Sequence, residues 1–206
     1  MVSKAARVAD DDKPETSMIE QLLPEVTTTY ALSYLDIPSL CQLSMTSTSM
    51  MKAANDDSLW KFLYRQDFTE ETNDLNPVNG WKAYYAATKA VNDVNNEFFS
   101  IIDSRAIDRM TSIWLNSDYV KCCNGSGELV SGYDAVMQKW KLCFDNSDFG
   151  SYLPRGVQTR VLTNVAWVTT LAVHISGSYS HITNVFELHN GRWLMVHHQS
   201  SSSSIP

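Results

Sequence analysis

The sequence predicts an α+β fold, with a small all-helical module followed by a larger α+β domain. Between Leu23 and Phe68, apolar residues recur every three or four positions, which is typical of short amphipathic helices. From residue 157 onward, β-branched residues and apolar–polar alternation favour strands. Asn190-Gly191 separates two of these strand patterns, and this dipeptide is typical of a tight hairpin.

The first module is predicted to contain four short helices. Pro24 suits the first turn of a helix, where its missing N–H is not needed, and Pro38 suits the first turn of the second helix. A segment this short buries little apolar surface, so we expect it to need a partner protein. The predicted N-caps of the later helices are Asp36, Ser47 and either Asp57 or Ser58.

The order of these features resembles the F-box, which docks a substrate receptor onto the Skp-type adaptor of a cullin-RING ubiquitin ligase. The resemblance rests on the Leu-Pro opening, the Leu-Asp-Ile-Pro corner, a second apolar set and a Leu-Trp pair. The corner proline is displaced by one position, and Lys52 stands alone where the family often has a basic cluster. A plain helical bundle with inward Leu and Trp side chains is the alternative. The resemblance implies these adaptor-binding residues: Leu23, Pro24, Ile37, Pro38, Leu40, Leu43 and Trp60.

Composition argues against several classes of function. A net charge of −7 and a pI near 5.1 provide no basic field for nucleic acid or a membrane surface. No stretch is long enough to span a membrane, and the N-terminus lacks a signal-peptide core, so we expect a cytoplasmic or nuclear protein. We expect no metal site, because the cysteines form no C-x-x-C pair, and we expect no cofactor, because the sequence has no Gly-rich phosphate loop. The four cysteines are Cys41, Cys122, Cys123 and Cys143.

The second domain is predicted to begin within a long helix. Apolar residues from Trp81 to Ile102 form one helix face, which we expect to be broken near residues 92–96. The predicted divisions are a disordered N-terminus at 1–17, the module at 18–68, a linker and connecting helix at 69–93, the domain at 94–201 and a disordered tail at 202–206. The later elements are a helix at 106–115, a hairpin at 119–131, a helix at 132–144, and strands at 157–162, 165–175, 180–188 and 192–199.

This order of elements resembles the SnoaL-like domains, within the superfamily of nuclear transport factor 2-like cone-shaped folds. The matching runs are FFSIIDSRAIDRMTSIW, GYDAVMQKW, NVAWVTTLAV and TNVFELHNGRWLMVHHQSS. The resemblance implies a curved antiparallel sheet around a cone-shaped pocket that binds or processes small apolar molecules. It also implies a homodimer through the outer face of the sheet.

Histidines on the last strand are the candidates for chemistry in this pocket. Neighbours on a strand point to opposite faces, so one of His197 and His198 faces inward. Strand parity places His198 on the same face as Leu194 and Val196. A pocket histidine can shuttle protons, although a buried histidine satisfied by one hydrogen bond is more frequent.

A catalytic partner for the histidine is not evident in the sequence. Ala106 and Asn124 stand where relatives often carry an aspartate and a histidine. Trp114, Trp140 and Trp167 are expected to fill the core rather than stack on a cofactor. The predicted pocket residues are Trp114, Tyr119, Trp140, Asn184 and His198.

Three functions are consistent with these patterns. In the first, the chain is a non-catalytic substrate receptor of a Skp–cullin–F-box ligase, and the cone domain binds a target protein or a small ligand. In the second, the cone domain is a small-molecule isomerase, cyclase or hydratase whose turnover the F-box controls. In the third, the cone domain only pairs two ligases. A carboxylate within reach of His198 would favour the enzyme.

Overall fold

The computed structural model describes residues 31–68, 75–125, 127–146, 149–174 and 177–203. Helices come first in the chain and a six-stranded sheet lies near its end, so the α+β class is confirmed. The chain divides into two compact units, and the boundary between them falls between Leu63 and Tyr64. The helix predicted around Pro24 and the disorder predicted at residues 1–17 lie outside the described residues.

Three helices follow a short 3-10 turn in the N-terminal part of the chain. Asp36 Oδ1 accepts a hydrogen bond from Ser39 N at 2.8 Å, and Ser47 Oγ accepts one from Met50 N at 3.1 Å, so both predicted caps are confirmed. The third helix begins at Asp57, so its cap is Asp56 rather than the predicted Asp57 or Ser58. Asp56 Oδ1 accepts a hydrogen bond from Ser58 N. The elements are the turn Leu32–Tyr34, α1 (Ile37–Ser44), α2 (Thr48–Ala54) and α3 (Asp57–Asp67).

The core of the first unit is small and centres on two of the predicted adaptor-binding residues. Leu40 and Trp60 are almost fully buried, and Trp60 Nε1 donates a hydrogen bond to the Ala54 carbonyl at 2.8 Å. This bond ties α3 to the end of α2 and satisfies the indole N–H. Phe62, on the same helix as Trp60, is 43% exposed.

The second unit contains one long helix that is continuous, so the predicted break near residues 92–96 is wrong. Asparagines there do not interrupt the helix because their side chains bond to the sheet rather than to the local backbone. Asn92 bonds to Thr159, and Asn95 bonds to Asn184. The helices of this unit are α4 (Gly80–Ser104), α5 (Ile107–Ile113) and α6 (Tyr133–Asp145).

The sheet has the strand order β2-β1-β6-β5-β4-β3. Its pairs are antiparallel except β1 with β6, so the sheet is mixed rather than wholly antiparallel as predicted. The predicted Asn190-Gly191 hairpin is confirmed, and both residues have the positive φ (50° and 77°) of a tight hairpin turn. The strands are β1 (Lys121–Cys123), β2 (Leu129–Ser131), β3 (Tyr152–Val161), β4 (Val165–His174), β5 (Tyr179–His189) and β6 (Arg192–Ser203).

Two strands extend several residues beyond their predicted bounds. β3 begins five residues before the predicted 157 and includes Pro154, which the sheet tolerates because β3 is an edge strand. A register shift between Arg155 and Gln158 accommodates Gly156, whose φ is 55°. β6 continues to Ser203, which pairs with Tyr179, so the predicted tail at 202–206 begins as strand.

The end of α3 contributes to the core of the second unit through Tyr64. This side chain is fully buried, and its ring centroid lies 5.4 Å from that of Trp81 and 5.2 Å from that of Tyr84. Phe68 extends the cluster, with its ring centroid 5.3 Å from that of Tyr85. The start of α4 is therefore held by aromatic side chains that precede it in the chain.

We expect Tyr64→Ala to destabilise the protein strongly. Truncating a fully buried aromatic leaves a cavity and costs about 3–5 kcal/mol of unfolding free energy. Phe62→Ala, two residues away on the same helix, removes a half-exposed ring and should cost about 1 kcal/mol or less. Urea unfolding followed by tryptophan fluorescence measures both. Equal losses in the two variants would contradict the packing described for Tyr64.

Candidate functional site

A cavity of about 370 Å³ opens between the sheet, α6 and the β1–β2 turn of the second unit. Aromatic and aliphatic side chains form much of its wall, with a few polar groups among them, which is typical of small-molecule sites. Among the described residues that line it, none is an aspartate or glutamate. The lining includes Asn124, Trp140, Cys143, Phe149, Tyr152 and His198.

His198 is the inward-facing member of the histidine pair, and it belongs to a buried polar network. Its Nδ1 lies 2.7 Å from Asn184 Oδ1, and Asn184 Nδ2 donates to Asn95 Oδ1 at 2.9 Å. The imidazole packs between Phe98 and Trp140, with ring-centroid distances of 5.1 and 5.3 Å. The network therefore connects α4, β5 and β6 across the core.

The parity argument for β6 is wrong because the strand contains a bulge. Phe186 pairs with Met195 and Val185 pairs with His197, which leaves Val196 as an extra residue. His198 then opposes Asn184 and shares the buried face with Met195 rather than with Leu194. A one-residue bulge reverses the face of every residue beyond it, and sequence alternation alone does not reveal it.

The protonation state of His198 follows from its surroundings. Burial, and to a smaller extent the neighbouring His197, lowers the pKa of His198 from 6.5 to about 3. The imidazole is therefore neutral near pH 7. Because Asn184 Oδ1 is an acceptor, Nδ1 carries the proton and Nε2 keeps its lone pair. No described residue forms a hydrogen bond with Nε2.

Two cysteines near the cavity are held by one asparagine. Cys122 Sγ donates to Asn124 Oδ1 at 3.1 Å, and Asn124 Nδ2 donates to Cys143 Sγ at 3.2 Å. Burial raises the pKa of Cys122 to about 12 and also raises that of Cys143. Both thiols are protonated at neutral pH, so neither is an activated nucleophile. Lys139, at the rim, forms an ion pair with Glu128.

The predicted pocket residues fall into three groups. Trp140 and His198 line the cavity, and Asn184 lies directly behind His198. Trp114 is buried but does not line the cavity, and its backbone forms an isolated β-bridge with Met195. Tyr119 lies at the surface, where its hydroxyl donates to Glu187 at 2.7 Å. That hydrogen bond raises the pKa of Tyr119 to about 12.

Asn95 is the member of the network that sequence reasoning missed. It occupies the apolar stripe of α4 together with Val91, Phe98 and Ile102. A single polar residue on such a stripe is a usable signal, because a buried amide needs a partner across the core. The prediction that Trp167 fills the core is wrong, because its side chain is 38% exposed.

The predicted adaptor-binding residues also differ in exposure. Leu40 and Trp60 form the core of the module, Ile37 and Leu43 are half-buried, and Pro38 is exposed. Leu23 and Pro24 lie outside the described residues. Leu40 and Trp60 therefore belong to the core of the module, and the adaptor-binding role of the seven residues stays a prediction.

The exposed apolar surface of the first unit lies along α1. Pro38, Cys41 and Met45 are spaced by three and four residues and are all exposed. Tyr34, just before the helix, is 86% exposed and Met45 is 80% exposed. We call these four residues the α1 surface. Apolar side chains this accessible in so small a unit are typical of a docking face.

The described residues contain neither a membrane-spanning helix nor a metal-binding cluster. No helix in those ranges has the length and apolar character needed to cross a membrane. Within the same ranges, no group of three or more histidine, cysteine, aspartate or glutamate side chains is arranged to hold a metal ion.

Solved structures with similar folds cover the second part of the chain. A dehydratase-like protein of the nuclear transport factor 2-like family from Streptomyces avermitilis has a TM-score of 0.52 and 18% identity, covering 57% of this chain and 96% of its own. An association domain of the calcium/calmodulin-dependent protein kinase II type from Thiobacillus denitrificans has a TM-score of 0.50 and 20% identity, covering 54% of this chain and 93% of its own. These similarities show the cone fold.

The sequence matches the F-box-like family over residues 21–66 and the SnoaL-like domain family over residues 91–206. F-box protein SKIP8 of Arabidopsis thaliana is 59% identical over 192 residues, which cover 93% of this chain and 83% of that protein. A probable F-box protein of the same plant is 72% identical over 116 residues, covering 56% of this chain and 94% of that protein. The chain therefore belongs to the F-box proteins that carry a SnoaL-like domain.

Proposed function

We propose that the chain is a substrate-recognition subunit of a Skp–cullin–F-box ubiquitin ligase, acting in the cytoplasm or the nucleus. Its first unit binds a Skp-type adaptor, which connects it to the cullin, and its second unit binds a target protein. The observation that carries the proposal is the exposed apolar α1 surface, which lies within the residues 21–66 that match the F-box-like family. Leu40 and Trp60 are buried in the core of the same unit.

In this role the chain contributes proximity rather than bond chemistry. A receptor that holds a target lysine near a charged ubiquitin carrier raises the effective concentration of one reactant at the other. The two compact units match the two tasks, because adaptor binding and target binding then use separate surfaces.

The cavity of the second unit favours binding over turnover. A histidine whose pKa is about 3 is a weak base at neutral pH, and general acid–base catalysis works best with a pKa near the working pH. No described carboxylate lines the cavity to act with it. The lone pair on Nε2 instead suits a neutral apolar ligand that carries a hydroxyl or N–H donor. Such a ligand would gate target binding by the same unit.

An enzyme in this domain remains the second candidate, favoured by the buried histidine that the cavity reaches. It would require a second titrating group within hydrogen-bond distance of the ligand. Turnover of hydroxylated or carbonyl compounds that is lost in His198→Gln, with the fold retained, would establish the enzyme and overturn the binding role.

Removing the apolar side chains of the α1 surface should weaken adaptor binding. We expect the double variant Tyr34→Ser/Met45→Gln to lose about 2 kcal/mol, or on the order of thirtyfold in Kd, as central interface residues do. The matched control is Leu142→Gln/Leu153→Ser, which removes two exposed leucines from the second unit and should bind normally. Titration calorimetry of the full chain with a purified Skp-type adaptor measures both.

Two outcomes of that titration would contradict the proposal. One is no association of the unaltered chain at micromolar concentration. The other is an equal loss of affinity in the control variant, which would point to general surface damage rather than to a docking face.

The buried histidine should make stability depend on pH. His198 binds protons more weakly in the folded state (pKa about 3) than in the unfolded state (pKa 6.5). Its contribution is therefore fully present above pH 6.5 and is lost as pH falls toward 3, by about 2 kcal/mol at pH 5. Urea unfolding at pH 7 and pH 5 should show this loss in the unaltered chain and a smaller loss in His198→Gln. His181→Gln, at an exposed position on β5, is the control. An unchanged pH dependence in His198→Gln would contradict the assigned protonation state.

A further inference from the structure

A second cavity, of about 560 Å³, forms an open groove on the second unit. One wall is formed by residues 75–79 and by Gly80 at the start of α4. The other wall is the turn between β3 and β4 with neighbouring strand residues. Exposed apolar side chains line it, and Val78 at 92% exposure is the most accessible. The others are Leu162, Trp167 and Leu188.

Backbone hydrogen bonds fix both walls of this groove. Leu162 N donates to Val165 O at 2.8 Å, and Leu188 N donates to Asn164 O at the same distance. On the opposite wall, Gly80 N donates to Pro77 O at 3.1 Å. The apolar side chains are thus presented on a preformed frame, which lowers the entropy cost of binding a partner.

Arg160 is the charged residue among the described residues that line the groove. It lies on β3 directly opposite Trp167 in the β3–β4 pairing. Its Nη1 is sealed from solvent without a hydrogen-bond partner, and no described residue forms an ion pair or hydrogen bond with the guanidinium. A half-buried cation without a partner is unfavourable, and a carboxylate is the group that best relieves it.

We propose that this groove binds an extended segment of a target protein that carries a carboxylate next to one or two bulky apolar side chains. The carboxylate pairs with the part of the Arg160 guanidinium that faces the groove, while the sealed Nη1 stays beneath it. The apolar side chains pack against Trp167, Leu162 and Leu188. The proposal deepens the receptor function and rests on it for the identity of the partner as a target.

The groove also gives a reason for selectivity. The chain carries a net charge of −7, so acidic segments are not attracted to its surface in general. A carboxylate gains binding energy only where it pairs with Arg160. An apolar side chain gains binding energy only where the groove covers it next to that pair. A segment needs both groups at the correct spacing.

The test is a selection from a library of random twelve-residue peptides on the full-length chain, followed by titration of the consensus peptide. We expect enrichment of aspartate or glutamate beside leucine, phenylalanine or tryptophan. Arg160→Gln should weaken the consensus peptide at least about tenfold. Arg155→Gln is the matched control, because it makes the same change at an exposed position on the same strand.

A peptide in which the carboxylate is replaced by its amide isolates the proposed pair. That peptide should bind the unaltered chain as weakly as the acidic peptide binds Arg160→Gln, and combining both changes should cost little more. Trp167→Ser should abolish selection of the apolar residues. Each variant is first checked for an unchanged unfolding transition.

Several outcomes would overturn the proposal. These are no enriched peptide, enrichment without acidic residues, or equal losses in Arg160→Gln and Arg155→Gln. A dimer in solution that Trp167→Ser dissociates would show that a second copy of the chain occupies the groove instead. The titration contains no adaptor, so its failure leaves adaptor docking intact, and a failure of adaptor docking leaves the peptide result intact.

Discussion

The hydrogen-bonded set Asn95–Asn184–His198 is the constraint on which the second unit depends. Each of these side chains is buried, so each must find its partner inside the protein or lose the energy of a hydrogen bond to water. The partners lie on α4, β5 and β6, so the set specifies how the long helix crosses the sheet. Apolar packing alone would tolerate a shifted helix, whereas this set does not.

The same constraint determines what the cavity can do. Enclosing His198 among Phe98, Trp140 and an amide keeps the imidazole uncharged and fixes which nitrogen carries the proton. Because the imidazole is neutral at pH 7, its Nε2 lone pair is free to accept a hydrogen bond. In this chain the cone fold is combined with an F-box-like segment, and no described carboxylate lines its cavity.

Short stretches of the sequence were sufficient to predict the helix caps and the hairpin turn, because these features depend only on neighbouring residues. Asp36 and Ser47 cap helices within three residues, and Asn190-Gly191 sets a two-residue turn, so each was predicted from a short window. The predicted break in α4 failed because Asn95 finds its partner 89 residues away. The family resemblances gave the order of elements, yet they could not tell the buried Leu40 from the exposed Pro38.

Because β6 contains one extra residue, Val196, the strand can change in length by one residue while its histidine keeps the same partner on β5. On both sides of Val196 the pairing is regular, from Met195 with Phe186 to His198 with Asn184. Loss of that one residue would join the two regular stretches and leave His198 opposite Asn184. Deletion of Val196 is therefore expected to leave the same residue, His198, lining the cavity. A bulge of this kind changes the local twist of the strand, while the pairing of His198 with Asn184 beyond it stays regular.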